Sequence, residues 1–196
     1  MSLPESAPVE MGHGDDAPSG WVQRWTHLLK PQSRALDLAA GRGRHTRWLQ
    51  SRGHRVLAVD RDAQALAAID ALKLPGVETL TADLEGAHWP LPGQNFDAIV
   101  VTNYLWRPLL PTLVHSLAPG GVLIYETFAA GNETVGKPSR PDFLLRTGEL
   151  LEVCQDLRIV AFEDGYLGPP ATERFVQRVV ATRPSESASP ARYALA

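Results

Sequence analysis

The sequence predicts an α/β fold in which one doubly wound sheet of seven mostly parallel strands carries helices on both faces. Short apolar strand patterns alternate with helical patterns along most of the chain. A glycine turn, Gly41-Arg42-Gly43, joins the first strand to a helix. The last two strands are connected by a link too short for a helical crossover, which predicts a C-terminal antiparallel hairpin. Together these patterns are typical of a Rossmann-like sheet.

The strand patterns are short apolar runs between turn residues. The first is almost continuously apolar, as expected for a central parallel strand that is covered on both faces. The seven predicted strands are Ala35–Ala40, Val56–Asp60, Val77–Asp83, Phe96–Thr102, Val122–Thr127, Arg158–Phe162 and Phe175–Thr182.

Helices are predicted from capping residues and from their stop signals. Ser19 caps a helix that ends at Pro31, His45–Arg52 follows the glycine turn, Asp62 caps a helix to Leu72, Leu109–Leu117 forms a fourth helix ended by Pro119-Gly120-Gly121, and Thr147 caps a fifth.

Length and composition predict one domain. The chain has 196 residues, of which 44% are hydrophobic, enough for one full core. We expect the domain to span residues 19–183, between a disordered acidic tail at residues 1–18 and a disordered Pro/Ser/Ala-rich tail at residues 184–196.

Charge and cysteine content restrict the function classes. A net charge of -3 and a pI near 6.1 do not favour an obligate nucleic-acid binder. The single cysteine, Cys154, excludes an intramolecular disulfide. Without a signal peptide or a long apolar run, we expect a cytoplasmic protein with no membrane association.

The glycine turn and an acidic strand end predict a site for a ribose-containing cofactor. Gly41 and Gly43 place backbone N–H groups at a helix N-terminus, and Asp60 ends the second strand. An ionised carboxylate only accepts hydrogen bonds and therefore suits a vicinal diol. Because Thr46 stands where the dinucleotide fingerprint has its third glycine, a dinucleotide oxidoreductase is disfavoured.

These residues resemble the class I S-adenosylmethionine-dependent methyltransferases over about residues 20–183. Ala39 stands at the family's usual first glycine position, which is a mild departure. The matching segments are Asp37–Gly43, Asp60, Asp83 within Thr81–Glu85, Thr102–Leu105 and Pro119-Gly120-Gly121. Within the class, Gly43–His45, Asn103–Arg107 and Tyr125–Phe128 are most similar to the small tellurite-resistance-type methyltransferases.

The resemblance implies S-adenosylmethionine as the cofactor and assigns site residues. It implies cofactor binding by Asp37, Ala39, Gly41, Gly43, Arg44, Asp60, Arg61, Asp83, Leu84 and Asn103. It places Tyr104, Arg107 and Arg140 near the substrate, and no metal ligand is expected. Since transfer from a sulfonium depends mainly on placing the nucleophile in line, no catalytic group is required, and Tyr104 and His45 are the only candidates for one.

The acceptor is left open as a thiol, a chalcogen oxyanion, a hydroxyl or a carboxylate. The irregular segment Ala129–Arg146 is the candidate lid on the acceptor side. Its Lys137, Arg140 and Arg146 would favour an anion, while a solvated loop is the alternative. The absence of an Asn-Pro-Pro-Tyr signature argues against exocyclic base amines.

Two other functions stay open. An RNA methyltransferase is suggested by an arginine cluster near the second predicted helix: Arg42, Arg44, Arg47, Arg52 and Arg55. A cofactor-binding module without catalysis would keep the same cofactor residues. The oligomeric state is expected to be a monomer or a homodimer.

Overall fold

The computed structural model describes residues 17–86, 88–170, 172–185 and 192–195. Its strands are β1 (Arg34–Leu38), β2 (Arg55–Asp60), β3 (Val77–Thr81), β4 (Phe96–Thr102), β5 (Leu117–Phe128), β6 (Arg158–Leu167) and β7 (Arg174–Thr182). Its α-helices are α1 (Gly20–Trp25), α2 (Arg44–Ser51), α3 (Ala63–Ala71), α4 (Leu110–His115) and α5 (Glu149–Val153).

All seven strands form one sheet in the order β3-β2-β1-β4-β5-β7-β6. Strands β1 to β5 are parallel, and β7 pairs antiparallel with both β5 and β6. The predicted fold is therefore confirmed. The strand order reverses between β1 and β4, and open α/β sheets bind ligands outside the carboxyl ends of the strands at such a point.

The core lies on both faces of the sheet, and β4 shows how the strands divide it. Ile99 and Val101 belong to one buried cluster, whereas Ala98 and Val100 belong to the cluster on the other face. This follows from the two-residue side-chain period of a strand. Trp25 of α1 packs into the second cluster, which fixes the N-terminal helix against the sheet.

Strand β5 begins earlier than the sequence predicts. Leu117 already pairs with Phe96, and Val122 then pairs with Ala98 after a register shift, so the predicted turn Pro119-Gly120-Gly121 lies inside β5. A Cβ at Gly121 would lie 2.9 Å from the carbonyl oxygen of Phe96. Residues 119–121 become part of the strand because the backbones of β4 and β5 approach closely there.

Other boundaries also differ from the predicted ones. Strand β3 ends at Thr81, which pairs with Asp60, so Asp83 lies beyond the sheet. The N-cap of α5 is Gly148, at φ 72°, instead of Thr147. The backbone N–H of Gly148 donates to the Asp164 carboxylate at 3.1 Å, a contact from β6 that local sequence cannot reveal.

Most of the two predicted tails, residues 1–16 and 186–191 with residue 196, lies outside the described residues. The described parts contact the fold: the carbonyl oxygen of Pro18 accepts from Gln23 at 2.8 Å, and the ring of Tyr193 lies 5.7 Å from the Arg158 guanidinium. In the part of the chain that the structure describes, no helix is long and apolar enough to cross a membrane.

Candidate active site

The turn after β1 has three residues in the left-handed region, Ala39 (φ 53°), Gly41 (φ 53°) and Gly43 (φ 75°). A Cβ at Gly43 would lie 2.6 Å from Cδ1 of Ile69, whereas a Cβ at Gly41 would meet nothing within 4 Å. Glycine at 43 therefore lets α2 begin against α3. Glycine at 41 leaves open space above the turn, where a ligand can approach the backbone.

Asp60 connects this turn to β2. One carboxylate oxygen, Oδ2, accepts from the backbone N–H of Gly41 at 2.7 Å, and Oδ1 accepts from the N–H of Asp62 at 2.9 Å. Each oxygen retains a free lone pair. The carboxylate is thus held in one orientation while it can still accept further hydrogen bonds.

Two strained residues flank the point where the strand order reverses. Ala39 follows β1, and Asn103, at φ 54°, follows β4. The N–H of Asn103 donates to the carbonyl of Glu126 on β5 at 2.9 Å, which holds this backbone in place. Such conformations cost about 1–3 kcal/mol each and concentrate at functional sites.

A cleft of about 410 Å³, called here the Asp60 cleft, opens at the carboxyl ends of β1, β2 and β3. Apart from Tyr104, the residues that line it come from the ends of these strands and from the segment after β3. They are Ala39, Asp60, Arg61, Ala82, Asp83, Leu84, Glu85 and Tyr104. Five of them are predicted cofactor residues: Ala39, Asp60, Arg61, Asp83 and Leu84.

A second cleft of about 620 Å³, called here the Phe128 cleft, lies beside the first at the ends of β4 and β5. Its lining includes Pro138 and Phe143 from the predicted lid segment. The residues are Glu85, Asn103, Tyr104, Leu105, Thr127, Phe128, Pro138 and Phe143. Glu85 and Tyr104 line both clefts, so the two spaces meet at these side chains.

Tyr104 has a buried hydroxyl with no hydrogen-bond partner among the described residues. Burial raises the pKa of this phenol well above its usual value, and the negative charges of Glu85 and Asp83 raise it further. The hydroxyl is therefore protonated at neutral pH. It is available as a hydrogen-bond donor where the two clefts meet.

Asp37 lies behind the glycine turn and is buried. Its Oδ2 accepts from the Thr46 hydroxyl at 2.6 Å, which joins β1 to the first turn of α2. Burial raises the pKa of this carboxyl to about 6, although the bonds from Thr46 and the charge of Arg44 oppose the rise. The bond to Thr46 therefore supports the glycine turn from behind.

His45 is buried and makes two contacts. Its Nε2 accepts from the backbone N–H of Ser19 at 3.0 Å, so Nδ1 carries the proton and faces the Thr102 hydroxyl at 3.3 Å. Burial, with help from the charge of Arg44, lowers the pKa of this imidazole to about 3. Both ring nitrogens are engaged, so the structure gives His45 a supporting position and not the free nitrogen that a general base needs.

Arg107 differs from its predicted position near the substrate. Its guanidinium donates to the Glu149 carboxylate at 2.7 and 3.0 Å and to the carbonyls of Asp142 and Leu144 at 2.9 and 2.7 Å. It lines neither cleft. A buried carboxylate such as that of Glu149 requires a paired cation. Arg107 supplies this cation and, through its bonds to two carbonyls, holds the loop before α5 in place.

Arg140 and Arg44 also lie outside the lining of both clefts. Arg140 is 70% exposed and pairs with Asp142 at 2.8 Å. Arg44, in the first turn of α2, reaches the carbonyl oxygen of Ala17 at 3.5 Å. The structure therefore brings neither arginine to the predicted ligand space through its side chain.

Several residues in the clefts were not among the predicted site residues. Glu85 directly follows the predicted Asp83 and Leu84, and Thr127 and Phe128 belong to a segment that had been matched only as a family feature. Their closeness in sequence to motif residues is the signal that could have identified them as site residues. Phe143 carries no such signal, because only the path of the loop brings it to the site.

The chain was compared with known protein families. Residues 35–121 match the family described as "Methyltransferase domain". This segment runs from β1 into β5 and contains the glycine turn, Asp60, Asp83 and Tyr104. Residues 35–121 are therefore a methyltransferase domain. This match agrees with the predicted methyltransferase family, and so with S-adenosylmethionine as its cofactor.

Solved structures share the fold of this methyltransferase. TehB from Haemophilus influenzae is 21% identical with a TM-score of 0.71, and the match covers 85% of this chain but only 62% of TehB. An S-adenosylmethionine-dependent methyltransferase from Mesorhizobium loti is 20% identical with a TM-score of 0.63, covering 81% and 95% of the two chains. The 1,6-didemethyltoxoflavin-N1-methyltransferase from Burkholderia thailandensis, solved with S-adenosylhomocysteine and 1,6-didemethyltoxoflavin, is 20% identical with a TM-score of 0.61, covering 84% and 76%.

The residues of the methyltransferase domain fit S-adenosylmethionine. The space above Gly41 admits a ligand at the start of α2, and the fixed carboxylate of Asp60 retains lone pairs for ribose hydroxyls. The Asp60 cleft continues from Asp60 to Asp83 and Leu84, where an adenine edge would meet one polar and one apolar side chain. Tyr104, whose hydroxyl has no partner in the described part of the chain, lines the same cleft.

Proposed function

We propose that this methyltransferase transfers the methyl group of S-adenosylmethionine to a small-molecule acceptor. The observation that carries the proposal is the meeting of the two clefts at Tyr104 and Glu85. One cleft has the groups that suit a nucleoside, and the other is a separate, mainly apolar space beside it. Two adjoining sites of this kind are what transfer between two small molecules requires.

S-adenosylmethionine supplies an activated methyl group, which passes to a lone pair of the acceptor while the electrons of the broken methyl–sulfur bond stay on the departing sulfur. The role of the protein's residues is to bind the cofactor and to orient it. We propose that Asp60 accepts from the two ribose hydroxyls, that the backbone after Gly41 faces the methionine carboxylate, and that Asp83 with Leu84 meets the adenine. Asn103 holds the strained turn between the clefts.

Catalysis in this proposal comes from placement rather than from proton transfer by the protein. Both ring nitrogens of His45 are engaged, and the raised pKa of Tyr104 keeps its phenol protonated. Apolar side chains of Leu105, Phe128 and Phe143 line the space beside Tyr104. An oriented nucleophile reacts faster because the entropy of alignment is already lost on binding.

A small molecule is favoured over RNA as the acceptor. Several residues of the arginine cluster make local contacts: Arg52 lies over the ring of Trp48 at 4.2 Å, and Arg47 donates to the carbonyl of Arg42 at 2.6 Å. The cluster lies on α2, on the turns beside it and at the first residue of β2, and none of its residues lines the Phe128 cleft. We further propose that the protein acts in the cytoplasm, in keeping with its lone Cys154.

Calorimetric titration with S-adenosylmethionine and S-adenosylhomocysteine tests the cofactor site. Asp60→Asn replaces one acceptor oxygen with a donor, and we expect it to weaken binding by about tenfold or more. Asp70→Asn is the matched control, because Asp70 is an exposed carboxylate that accepts only from Thr79 among the bonds described. Absence of binding to the wild-type protein, or equal affinity in both variants, would contradict the proposal.

A turnover assay distinguishes an enzyme from a module that only binds the cofactor. The wild-type protein is incubated with S-adenosylmethionine and thiols, alcohols, small carboxylic acids, selenite or tellurite, and S-adenosylhomocysteine release is measured. Release that depends on one of these acceptors supports the proposed transfer. Tight cofactor binding without release for any acceptor would support the non-catalytic alternative.

A further inference from the structure

We infer that the Phe128 cleft receives an uncharged or cationic acceptor with an apolar body, and that Glu85 rejects anions there. The inference rests on the proposed function and narrows it. Of the acceptors considered from the sequence, it retains the thiol and the hydroxyl. It excludes the chalcogen oxyanion and the carboxylate.

The wall of the Phe128 cleft is mainly apolar. Leu105, Phe128, Pro138 and Phe143 present hydrocarbon surface, and Tyr104 adds a ring. An oxyanion such as tellurite or selenite has no hydrocarbon to bury against such a wall and would lose its hydration there. A molecule with an apolar body gains about 25 cal/mol for each Å² that it buries.

The charge at the cleft is negative. Among the described residues that line it, Glu85 carries the only charge. The adjoining Asp60 cleft is lined by the carboxylates of Asp60, Asp83 and Glu85 and by one cation, Arg61, so negative charges outnumber positive ones there as well. The backbone N–H of Glu85 donates to Asp83 Oδ1 at 3.0 Å, which keeps the turn that presents Glu85 at the junction of the clefts.

The cations that the sequence suggested for an anionic acceptor are placed elsewhere. Arg107 is bound to Glu149 and to two carbonyls. Arg140 pairs with Asp142 at 2.8 Å, and Arg146 lies within 3.4 Å of Glu149. None of them lines the Phe128 cleft, nor does Lys137. No basic side chain in the described residues of this lining offsets the charge of Glu85.

The polar groups of the cleft suit a neutral nucleophile. The Tyr104 hydroxyl is a protonated donor without a described partner, and Thr127 and Asn103 can donate or accept. For a thiol, the acceptor sulfur forms the new bond to the methyl carbon. The methyl–sulfonium electron pair remains on the departing sulfur, and the thiol proton passes to water.

Three related probes test the inference: benzyl mercaptan, its para-carboxylate and its para-aminomethyl derivative. They share the thiol and the ring and differ in the charge of the para substituent. Their affinities for the full chain are measured by calorimetry with and without S-adenosylhomocysteine, and methylated products are measured by mass spectrometry. We expect the neutral and cationic probes to bind at least about tenfold more tightly than the anion.

Variants of Glu85 test whether its charge causes the preference among the three probes. Glu85→Gln is expected to bring the three affinities together, and Glu85→Lys to favour the carboxylate probe. Glu78→Gln is the control, because Glu78 is an exposed carboxylate on β3 that lines neither cleft. Selenite and tellurite are added as competitors and are expected to leave binding of the neutral probe unchanged.

The inference would be overturned by equal or tighter binding of the anionic probe, by a charge preference that the Glu85 variants do not change, or by no binding of any probe. Competition by tellurite or selenite at this cleft would overturn it as well. The proposed function fails separately, if probes bind with the expected preference but S-adenosylhomocysteine does not bind and no methylated product forms.

Discussion

The hydroxyl of Tyr125, on β5, donates a 2.8 Å hydrogen bond to the backbone carbonyl of Tyr104, in the loop after β4. Tyr125 is fully buried, and burial raises the pKa of its phenol well above the usual value. The bond fixes the segment whose side chain separates the two clefts. One tyrosine thus positions another through the backbone.

Tyr125→Phe removes this bond and leaves the Tyr104 carbonyl without its described side-chain donor. We expect a loss of about 1–2 kcal/mol in the free energy of unfolding. We also expect a several-fold rise in KM for the acceptor at unchanged affinity for S-adenosylhomocysteine. Tyr166→Phe is the control, since the exposed Tyr166 bonds Glu173 on the C-terminal hairpin. An unchanged KM would show that the loop is held by other contacts.

Gly43→Ala tests the packing of the glycine turn. Its added methyl would meet the Ile69 side chain at 2.6 Å in a backbone at φ 75°, and we expect a loss of about 2–4 kcal/mol on chemical denaturation. Gly53→Ala has a φ of 84° but open space around the new methyl. It should cost only about 1 kcal/mol. Equal losses would mean that the Ile69 contact adds nothing.

Asp37 should make stability fall as the pH rises. Its folded pKa of about 6 lies above the unfolded value of 3.8, so its favourable contribution is complete below the unfolded pKa and is lost as pH rises through the folded one. Asp37→Asn removes the ionisation. The free energy of unfolding of the variant, relative to wild type, should therefore rise with pH, from no difference near pH 4 to as much as about 3 kcal/mol near pH 8. Urea denaturation across this range measures it. A difference that does not vary with pH would contradict the buried ionisation.

His45 should make the free energy of unfolding fall as the pH is lowered below neutral. Its folded pKa of about 3 lies below the usual value of 6.5 for an unfolded chain, so its contribution to stability is present above the unfolded pKa and is lost as the pH falls toward the folded pKa. His45→Gln can keep an acceptor for the Ser19 N–H without the titration. We therefore expect the stability gap between wild type and variant to narrow as the pH falls. A constant gap between neutral and acid pH would argue against a neutral buried imidazole.

Ser19 anchors the start of α1 to the site. Its hydroxyl accepts from the Trp21 N–H at 3.1 Å and donates to the buried Glu126 carboxylate at 2.9 Å. Ser19→Ala should lower the free energy of unfolding by about 1–2 kcal/mol through the lost cap and the lost bond to a buried charge. Ser51→Ala, at an exposed residue that bonds only the Trp48 carbonyl among the described contacts, should change it little. Equal thermal unfolding of the two variants would show that the anchor is unimportant.

Local patterns were sufficient to locate the seven strands, though not all of their ends. The apolar run at Ala35–Ala40 and the Gly41-Arg42-Gly43 turn predict a central strand and a helix start, and β1 and α2 lie there. Asp60 was identifiable because it ends an apolar strand next to that turn. The cap of α5 was not, since Gly148 replaces Thr147 through a bond to Asp164 on β6.

The sequence by itself determined the sheet, the glycine turn and the acidic end of β2, because these depend on short-range periodicity and on backbone conformations that few residues adopt. Only the tertiary structure decided the acceptor side. The charge of Arg107 is used by Glu149, 42 positions away, and Phe143 reaches the site only through the path of its loop. Pairing and burial join residues that are distant in the chain, and they determine which charges a ligand meets.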